Sequence, residues 1–559
     1  MLDPSKLDPS AHVDGFARAN LPPRALWPEM DFTLPEFAYP KRLNAAVELL
    51  DRMVESGFAD RPCIRWPGGL WTYRQLLDKA NRIANVLVGK MGLVPGSRVL
   101  LRAANNPMHA ACWFAVMKAG GIAVGTMPLL RARELCYVIE KAKVEFALCD
   151  KSLNGDLEAA REKAPTLRRI ACFHDDAADG LEALMAAQPS SFANVATSHD
   201  DVALIAFTSG TTGAAKGTMH FHRDVLAICD AFPKYVLKPT QDDIFVGSPP
   251  LAFTFGLGGV LLFPMRVGAS TLLLERTSAE ILLQAIQDHR CTICFTAPTM
   301  FRRMAELTPH YDLASLTKCV SAGETLPLPV FQAFLKATGI KIIDGLGSTE
   351  MLHIFVATAG DDIRPGATGK AIPGYRAIVV DDSGNEVPRN TIGRLAVRGP
   401  TGCRYLDDPR QTTYVQQGWN LTGDAYRMDE DGYLWYQART DDMIISAGYN
   451  ISGPEVEAVL LDHPEVCECA VIGAPDAARG QIVKAFVVRR DESTDGDLAK
   501  ELQDFVKAQI APYKYPRAIE FVAALPRTET GKVQRFRLRE IERERAAGLG
   551  AKPPHPAQR

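Results

Sequence analysis

Ten consecutive residues, Thr208-Ser209-Gly210-Thr211-Thr212-Gly213-Ala214-Ala215-Lys216-Gly217, follow directly on the apolar run Val202–Phe207. A buried strand that opens into such a loop restricts the chain to folds presenting an anion site at a strand end. Gly210, Gly213 and Gly217 accept backbone dihedrals that other residues resist, so several N–H groups can turn toward one anion. The hydroxyls of Thr208, Ser209, Thr211 and Thr212 and the Lys216 ammonium complete a cradle for phosphate oxygens. The spacing is not that of the common nucleotide loop, Gly-x-x-x-x-Gly-Lys-Ser/Thr. Counting back from Lys216, Ala215 stands where that loop needs glycine, and Gly217 where it needs the magnesium-binding hydroxyl. Taken alone, the run also reads as a flexible Gly/Ser/Thr linker. Segments further along the chain argue against the linker.

At 559 residues the chain exceeds one compact core, so at least two domains are expected. Its formal charge of −3 offers no field for nucleic acid or an anionic membrane. Of twelve cysteines, only Cys291/Cys294 and Cys467/Cys469 are closely spaced, and no second pair completes a metal site. Cys291 and Cys294 sit in an apolar, β-branched stretch that predicts buried strand thiols. Reduced thiols and an N-terminus without an apolar core predict a cytoplasmic protein. Residues 110–130 are apolar but interrupted by Lys118, Gly120, Gly121 and Pro128, which predicts a buried helix-turn-strand rather than a membrane span.

Apolar spacing predicts a helix from Thr72 through Leu87 and buried strands at 98–101, 144–149, 202–207 and 292–295. This alternation predicts an α/β fold of layered sheets. A boundary falls near residue 440. A strand run from Gly432 ends at Arg439, Asp441-Asp442 follow, and a further strand leads to a helix from Glu455. We expect a large N-terminal domain of layered α/β sheets (1–440) and a small α+β C-terminal domain (441–559). The tail from about residue 546 is expected to be disordered. The two acids at 441–442 read equally as a simple turn.

The loop at 208–217 resembles the phosphate-binding segment of the adenylate-forming superfamily, which includes acyl- and aryl-CoA synthetases, peptide-synthetase adenylation domains and beetle luciferases. Ala215 replaces a residue that is usually proline there. Four further segments follow in the family's order. Ser321-Ala322-Gly323-Glu324 resembles the segment lining the adenine and acyl pockets. Gly345-Leu346-Gly347-Ser348-Thr349-Glu350 resembles the aromatic-Gly-x-Thr-Glu segment, with Leu346 in the aromatic position. Gly418-Trp419-x-x-Thr422-Gly423-Asp424 and Pro526-x-x-x-x-Gly531-Lys532-x-x-Arg535 resemble the last two.

The resemblance implies ATP, magnesium and coenzyme A as reactants and cofactor, and a mobile C-terminal domain hinged at Asp441. It assigns Thr208, Ser209, Gly210, Thr211, Thr212, Lys216, Gly323, Glu324, Gly347 and Ser348 to the nucleotide. Thr349 would contact the α-phosphate and Glu350 would hold magnesium, which favours hard oxygen ligands. Asp424 would accept from both ribose hydroxyls, with Arg439 as its companion, and Gly448 would let pantetheine pass. Lys532 would stabilise charge where a carboxylate meets the α-phosphate. Arg394, where the family often has Glu, is expected at a surface strand end.

For the acid, Ala252, Phe253, Phe255 and Gly256 suggest a flat slot for a ring, though a core stripe fits the same residues. Met351-Leu352-His353-Ile354-Phe355 is similar to benzoate-type CoA ligases, which adds His353 and Ile354 to the acyl site, while the resemblance of the segment from Ser321 adds Ala322. Residues 16–24 and 126–131 resemble 2-aminobenzoate-CoA ligases. An ortho-amine needs a polar neighbour, and Thr254, Ser321 and His353 are the groups available. The reading is an AMP-forming aryl-CoA ligase, monomer or homodimer, acting on 2-aminobenzoate or benzoate. A carrier-loading adenylation enzyme and a non-catalytic relative are the alternatives.

Overall fold

The computed structural model describes residues 7–208, 215–440, 442–446, 449–476, 479–490, 497–527 and 532–547. Two sheets dominate the large domain. A six-stranded sheet runs in the order Arg169–Phe173, Phe146–Asp150, Arg98–Arg102, Ile122–Thr126, Val202–Phe207, Gly217–Phe221. All its pairings are parallel except the last, so the two strands flanking the Gly-rich run are antiparallel neighbours at one edge. A nine-stranded sheet has a parallel centre that includes Ile244–Gly247, Ile293–Thr296, Lys318–Ala322 and Ile343–Gly347. A third, antiparallel sheet carries Ile392–Arg398, Trp419–Met428 and Leu434–Arg439. The small domain is built on Val466–Asp476, Gly480–Arg489 and Ala518–Phe521.

Local sequence explains the helices that pack on these sheets. Thr72 caps the helix Tyr73–Gly89 reciprocally: Thr72 Oγ1 accepts from Gln75 N, and Gln75 Oε1 accepts from Thr72 N at 2.9 Å. Two orphan donors are satisfied by that exchange. The apolar stretch at 110–130 folds as anticipated, into the fully buried helix Pro107–Lys118 and the strand Ile122–Thr126. No helix among the described residues is long and apolar enough to cross a membrane. All twelve cysteines are unpaired thiols, and Cys291 and Cys294 are both buried.

The strand Ile343–Gly347 takes in the first three residues of the Gly345–Glu350 segment, because a second strand, Ile354–Ala357, pairs antiparallel with it. Gly345 permits that close approach, since a Cβ there would lie 2.5 Å from Ile354 Cδ1. Arg394 is not at a strand end: it pairs with Val380 on one side and Ala425 on the other. Its guanidinium donates to the carbonyls of Asp381 and Asp382.

Lys118 ends the buried helix with no side-chain exposure, and its ammonium meets both oxygens of Asp51 at 2.5 and 2.6 Å. Asn194 donates to the same carboxylate. Removing one member of such a pair strands the other charge in the core. Asp51→Ala should therefore cost about 3–5 kcal/mol, read as a lowered urea midpoint. Asp51→Leu combined with Lys118→Met should recover most of that loss.

Candidate active site

Glu350, expected at the metal, meets Lys216, expected at the nucleotide. The Glu350 side chain is 8% exposed. Oε1 accepts from the Tyr405 hydroxyl at 2.5 Å and from Lys216 Nζ at 3.3 Å, while Lys216 Nζ donates to the Tyr405 oxygen at 2.7 Å. The ammonium also lies over the rings of Tyr405 and Tyr414, 4.7 and 5.8 Å from their centroids. Ser348 Oγ is 3.2 Å from the Tyr414 hydroxyl. Burial, reinforced by the Glu350 charge, pushes the Tyr405 phenol far above its ordinary range, so it remains a neutral donor. A nearly buried carboxylate beside a lysine fits a place where magnesium and phosphate meet, with a hard oxygen for one and an ammonium for the other.

A second row of buried groups lies behind this cluster. His220 Nε2 is 2.8 Å from the Thr349 carbonyl. A carbonyl only accepts, so Nε2 carries the proton and Nδ1 faces Asp224 at 3.8 Å. Asp224 accepts from Arg404 at 2.7 Å, and neither side chain has any exposure. Burial alone would raise Asp224, but Arg404, His220 and Arg223 hold its carboxyl far below the usual range.

The neck of the Gly-rich run is closed by Thr208. Its N–H donates to the Lys216 carbonyl at 3.0 Å, and its Oγ1 accepts from Lys216 N. Ser209, Gly210, Thr211, Thr212, Asp441 and Gly448 lie outside the described residues.

Asp424 and Arg439 are direct partners across antiparallel strands, joined at 3.1 Å. Gly423 beside them has a φ of +77°, and a Cβ there would come within 2.7 Å of the Arg439 guanidinium. The positive φ favours glycine at this position, and a side chain there would displace the Arg439 guanidinium from its place beside Asp424. Lys532, from the small domain, is in the electrostatic field of Glu324, Arg439 and Asp424. The residue as a whole is exposed, yet surrounding protein desolvates its ammonium enough to lower the pKa, with Glu324 the main opposing charge. Burial raises Glu324 in turn, opposed by Lys532, Arg527 and Arg535. Gly323, in the same loop, has a φ of +88°.

Of the residues expected to bind the ring, Phe255 lies beside His353, joined there by Phe263 and Phe232. The His353 ring meets Phe263 edge-on at 4.5 Å and lies 5.7 Å from Phe255 and 6.1 Å from Phe232. Burial pushes the imidazole pKa down to about 3, against the Phe255 carbonyl, so it is neutral. Nε2 lies 3.3 Å from that carbonyl and must be its donor, whereas the buried Nδ1 has no hydrogen-bond partner among the described residues. Ala322 pairs with Gly345, and Ile354 with Gly347. Ala252 and Phe253 are half-buried, and Gly256 is buried in the short helix Thr254–Gly256. Ser321 is a correction. It alternates with Val320 and Ala322, which join the apolar cluster of Phe295 and Ile354, so Ser321 points to the opposite face.

Tyr405, Tyr414, His220, Asp224 and Arg404 were not singled out from sequence. The available signal was Arg404 itself, a charge among Cys403, Tyr405 and Leu406 that needs an internal partner.

These features agree with known proteins. The AMP-binding enzyme family matches residues 52–404, and the AMP-binding enzyme C-terminal domain matches residues 455–532. The benzoate–CoA ligase of Thauera aromatica is 34% identical over 514 residues, covering 91% of this chain and 98% of the relative. The crystal structure of the anthranilate CoA ligase AuaEII in complex with anthranoyl-AMP superposes with a TM-score of 0.87 at 34% identity, covering 92% of this chain and all of the other. A benzoate CoA ligase from Burkholderia xenovorans LB400 gives 0.80 at 31% identity, with coverage of 89% and 99%. The chain belongs to the AMP-binding enzyme family. It is an AMP-forming acid–thiol ligase.

Tyr405→Phe keeps the ring and removes the one hydroxyl shared by Lys216 and Glu350. A hydrogen bond to a charged group is worth about 1.5–3 kcal/mol. ATP-dependent adenylate formation should therefore fall roughly tenfold or more, measured as pyrophosphate release, with the thermal midpoint little changed.

Proposed function

We propose that this ligase activates an aromatic carboxylic acid, preferentially 2-aminobenzoate with benzoate close behind, and joins it to coenzyme A. The observation that carries the aminated ring is His353. Its one proton is committed to the Phe255 carbonyl, which leaves Nδ1 as a buried acceptor among aromatic rings. A buried acceptor without a donor is costly, and an ortho-amine supplies a donor. Thr254 is the remaining polar group near the slot, Ser321 having turned away. The similarity to benzoate and anthranilate CoA ligases supports the same substrate class.

The chemistry has two halves. In the first, the acid's carboxylate oxygen attacks the α-phosphorus of ATP, the bond to the β-phosphate bridge breaks, and pyrophosphate leaves an acyl-adenylate. Lys216 and the Thr208–Thr212 hydroxyls hold the phosphates, Thr349 the α-phosphate, and Asp424 with Arg439 the ribose. Glu350 would hold magnesium, which when bound neutralises phosphate charge. Lys532 places a positive charge at the α-phosphate, where two anions must approach. In the second half the coenzyme A sulfur attacks the acyl carbon, AMP departs, and the thiol proton is released. We assign the two halves to two settings of the small domain (441–559) about Asp441, with Gly448 lining the thiol's path.

AMP release with ATP, magnesium and coenzyme A against aromatic, aliphatic and amino acids tests the reading. A maximum at 2-aminobenzoate or benzoate is expected, and turnover confined to aliphatic acids would overturn it. Within that assay, His353→Gln retains a donor near Nε2 but loses the Nδ1 acceptor, while His353→Asn places an oxygen near Nδ1. Gln should cut the preference for 2-aminobenzoate over benzoate about tenfold, and Asn should keep much of it.

The lowered Lys532 pKa sets a pH dependence. The ammonium must be charged, so adenylate formation should decline as pH rises through that value. Lys532→Arg, whose guanidinium stays charged, should flatten the alkaline limb. Lys532→Ala should lose on the order of 10²–10³ in the first half-reaction.

A further inference from the structure

We infer that Arg302 is a positioning residue for the first half-reaction, a large-domain clamp that seats the small domain so that Lys532 reaches the nucleotide. The inference rests on the two-setting reading above. Arg302 lies on the large-domain helix Pro298–Leu307. Its Nη1 donates at 2.8 Å to the backbone carbonyl of Cys467, on the small-domain strand Val466–Asp476.

The local backbone explains why that carbonyl is the one taken. The strand pairs in register with Gly480–Arg489, except for a shift between Val466 and Glu468 that leaves Cys467 as the extra residue. A bulged residue drops out of the ladder, and a backbone carbonyl then needs another donor. Arg302 supplies one from the other domain.

From Cys467 the contacts run to the catalytic lysine. The next residue, Glu468, pairs with Arg527 at 2.7 Å. Arg527 bridges antiparallel to Val533, and Gln534 N–H donates to the Pro526 carbonyl at 2.8 Å, which closes the neck of the segment carrying Lys532. Just beyond, Arg535 holds Glu457 through both oxygens, and Glu457 accepts from Val471 N–H on the bulged strand. The segment is thus tied at both ends to the strand that Arg302 grips. Glu324, on the large domain, faces the charges of Lys532, Arg527 and Arg535 and favours the same seating.

A bond between a large-domain guanidinium and a small-domain carbonyl exists in one setting of the two domains and is lost in another. Arg302 should therefore favour adenylate formation and give no help to thioester formation. Arg302→Met should slow pyrophosphate release with acid and ATP about tenfold. Thioester formation from chemically prepared acyl-adenylate and coenzyme A should hold or rise. Arg302→Lys, which still donates, should recover part of the first half.

In a Lys532→Ala background Arg302→Met should add little, since both act through one group. Equal slowing of both halves, or of neither, would overturn the clamp. A fully additive double variant would do the same. Wild-type protein that forms no adenylate with any aromatic acid would instead sink the proposed substrate class, and the clamp is then tested with whichever acid supports pyrophosphate release.

Discussion

The nucleotide site depends on one buried ion pair, Asp224–Arg404, at 2.7 Å and without solvent exposure on either side. Arg404 adjoins Tyr405, whose hydroxyl organises Glu350 and Lys216. Asp224 faces His220, whose other nitrogen donates to the Thr349 carbonyl. It also accepts from Phe221 N–H at the start of the helix His222–Phe232. One pair therefore sets both the residue expected at the α-phosphate and the carboxylate expected at the metal. The backbone reinforces it: Met219 N–H donates to the Arg404 carbonyl, and Leu406 N–H to that of Gly217. The strand that follows the Gly-rich run is thereby fixed against the segment that carries Tyr405.

Such a pair is a poor source of stability, because removing two ions from water costs several kcal/mol that their attraction only partly repays. Its value is geometric. An apolar replacement of equal volume would fill the space but would not orient His220 or hold the backbone at 404–406. Asp224 Oδ1 and Arg404 Nε have no hydrogen-bond partner among the described residues, so the role of the pair rests on the groups it orients.

Much of this was legible in the sequence because local rules govern it. The strand Val202–Phe207, the helix after Thr72 and the interrupted run at 110–130 each carry their own period and punctuation. The Asp424–Arg439 pair was legible through resemblance, and the structure shows its physical basis as direct neighbours on adjacent antiparallel strands. What sequence did not disclose were groups whose roles depend on distant partners. Tyr405 matters because Lys216, 189 positions away, reaches it, and no spacing rule links them. Ser321 shows the converse: its residue type suited the ring pocket, but strand alternation decided its direction.

Directed polar contacts join the two domains among the described residues, and their kind has a mechanical consequence. A large apolar interface would lock one setting, because shedding its buried area would cost more than binding a nucleotide returns. Among the described residues one guanidinium reaches one bulge carbonyl, Ser452 Oγ donates to the Gln437 carbonyl, and Glu324 lies in the field of three small-domain cations. Contacts of this kind are each worth a few kcal/mol at most, within reach of what a change of bound anion can reverse. On the proposed two-setting mechanism a triphosphate would bring negative charge to Lys532 and strengthen the seating, and less charge would hold it once pyrophosphate had gone. The same polar contacts that permit the proposed first half-reaction would then let the small domain leave when that half is complete.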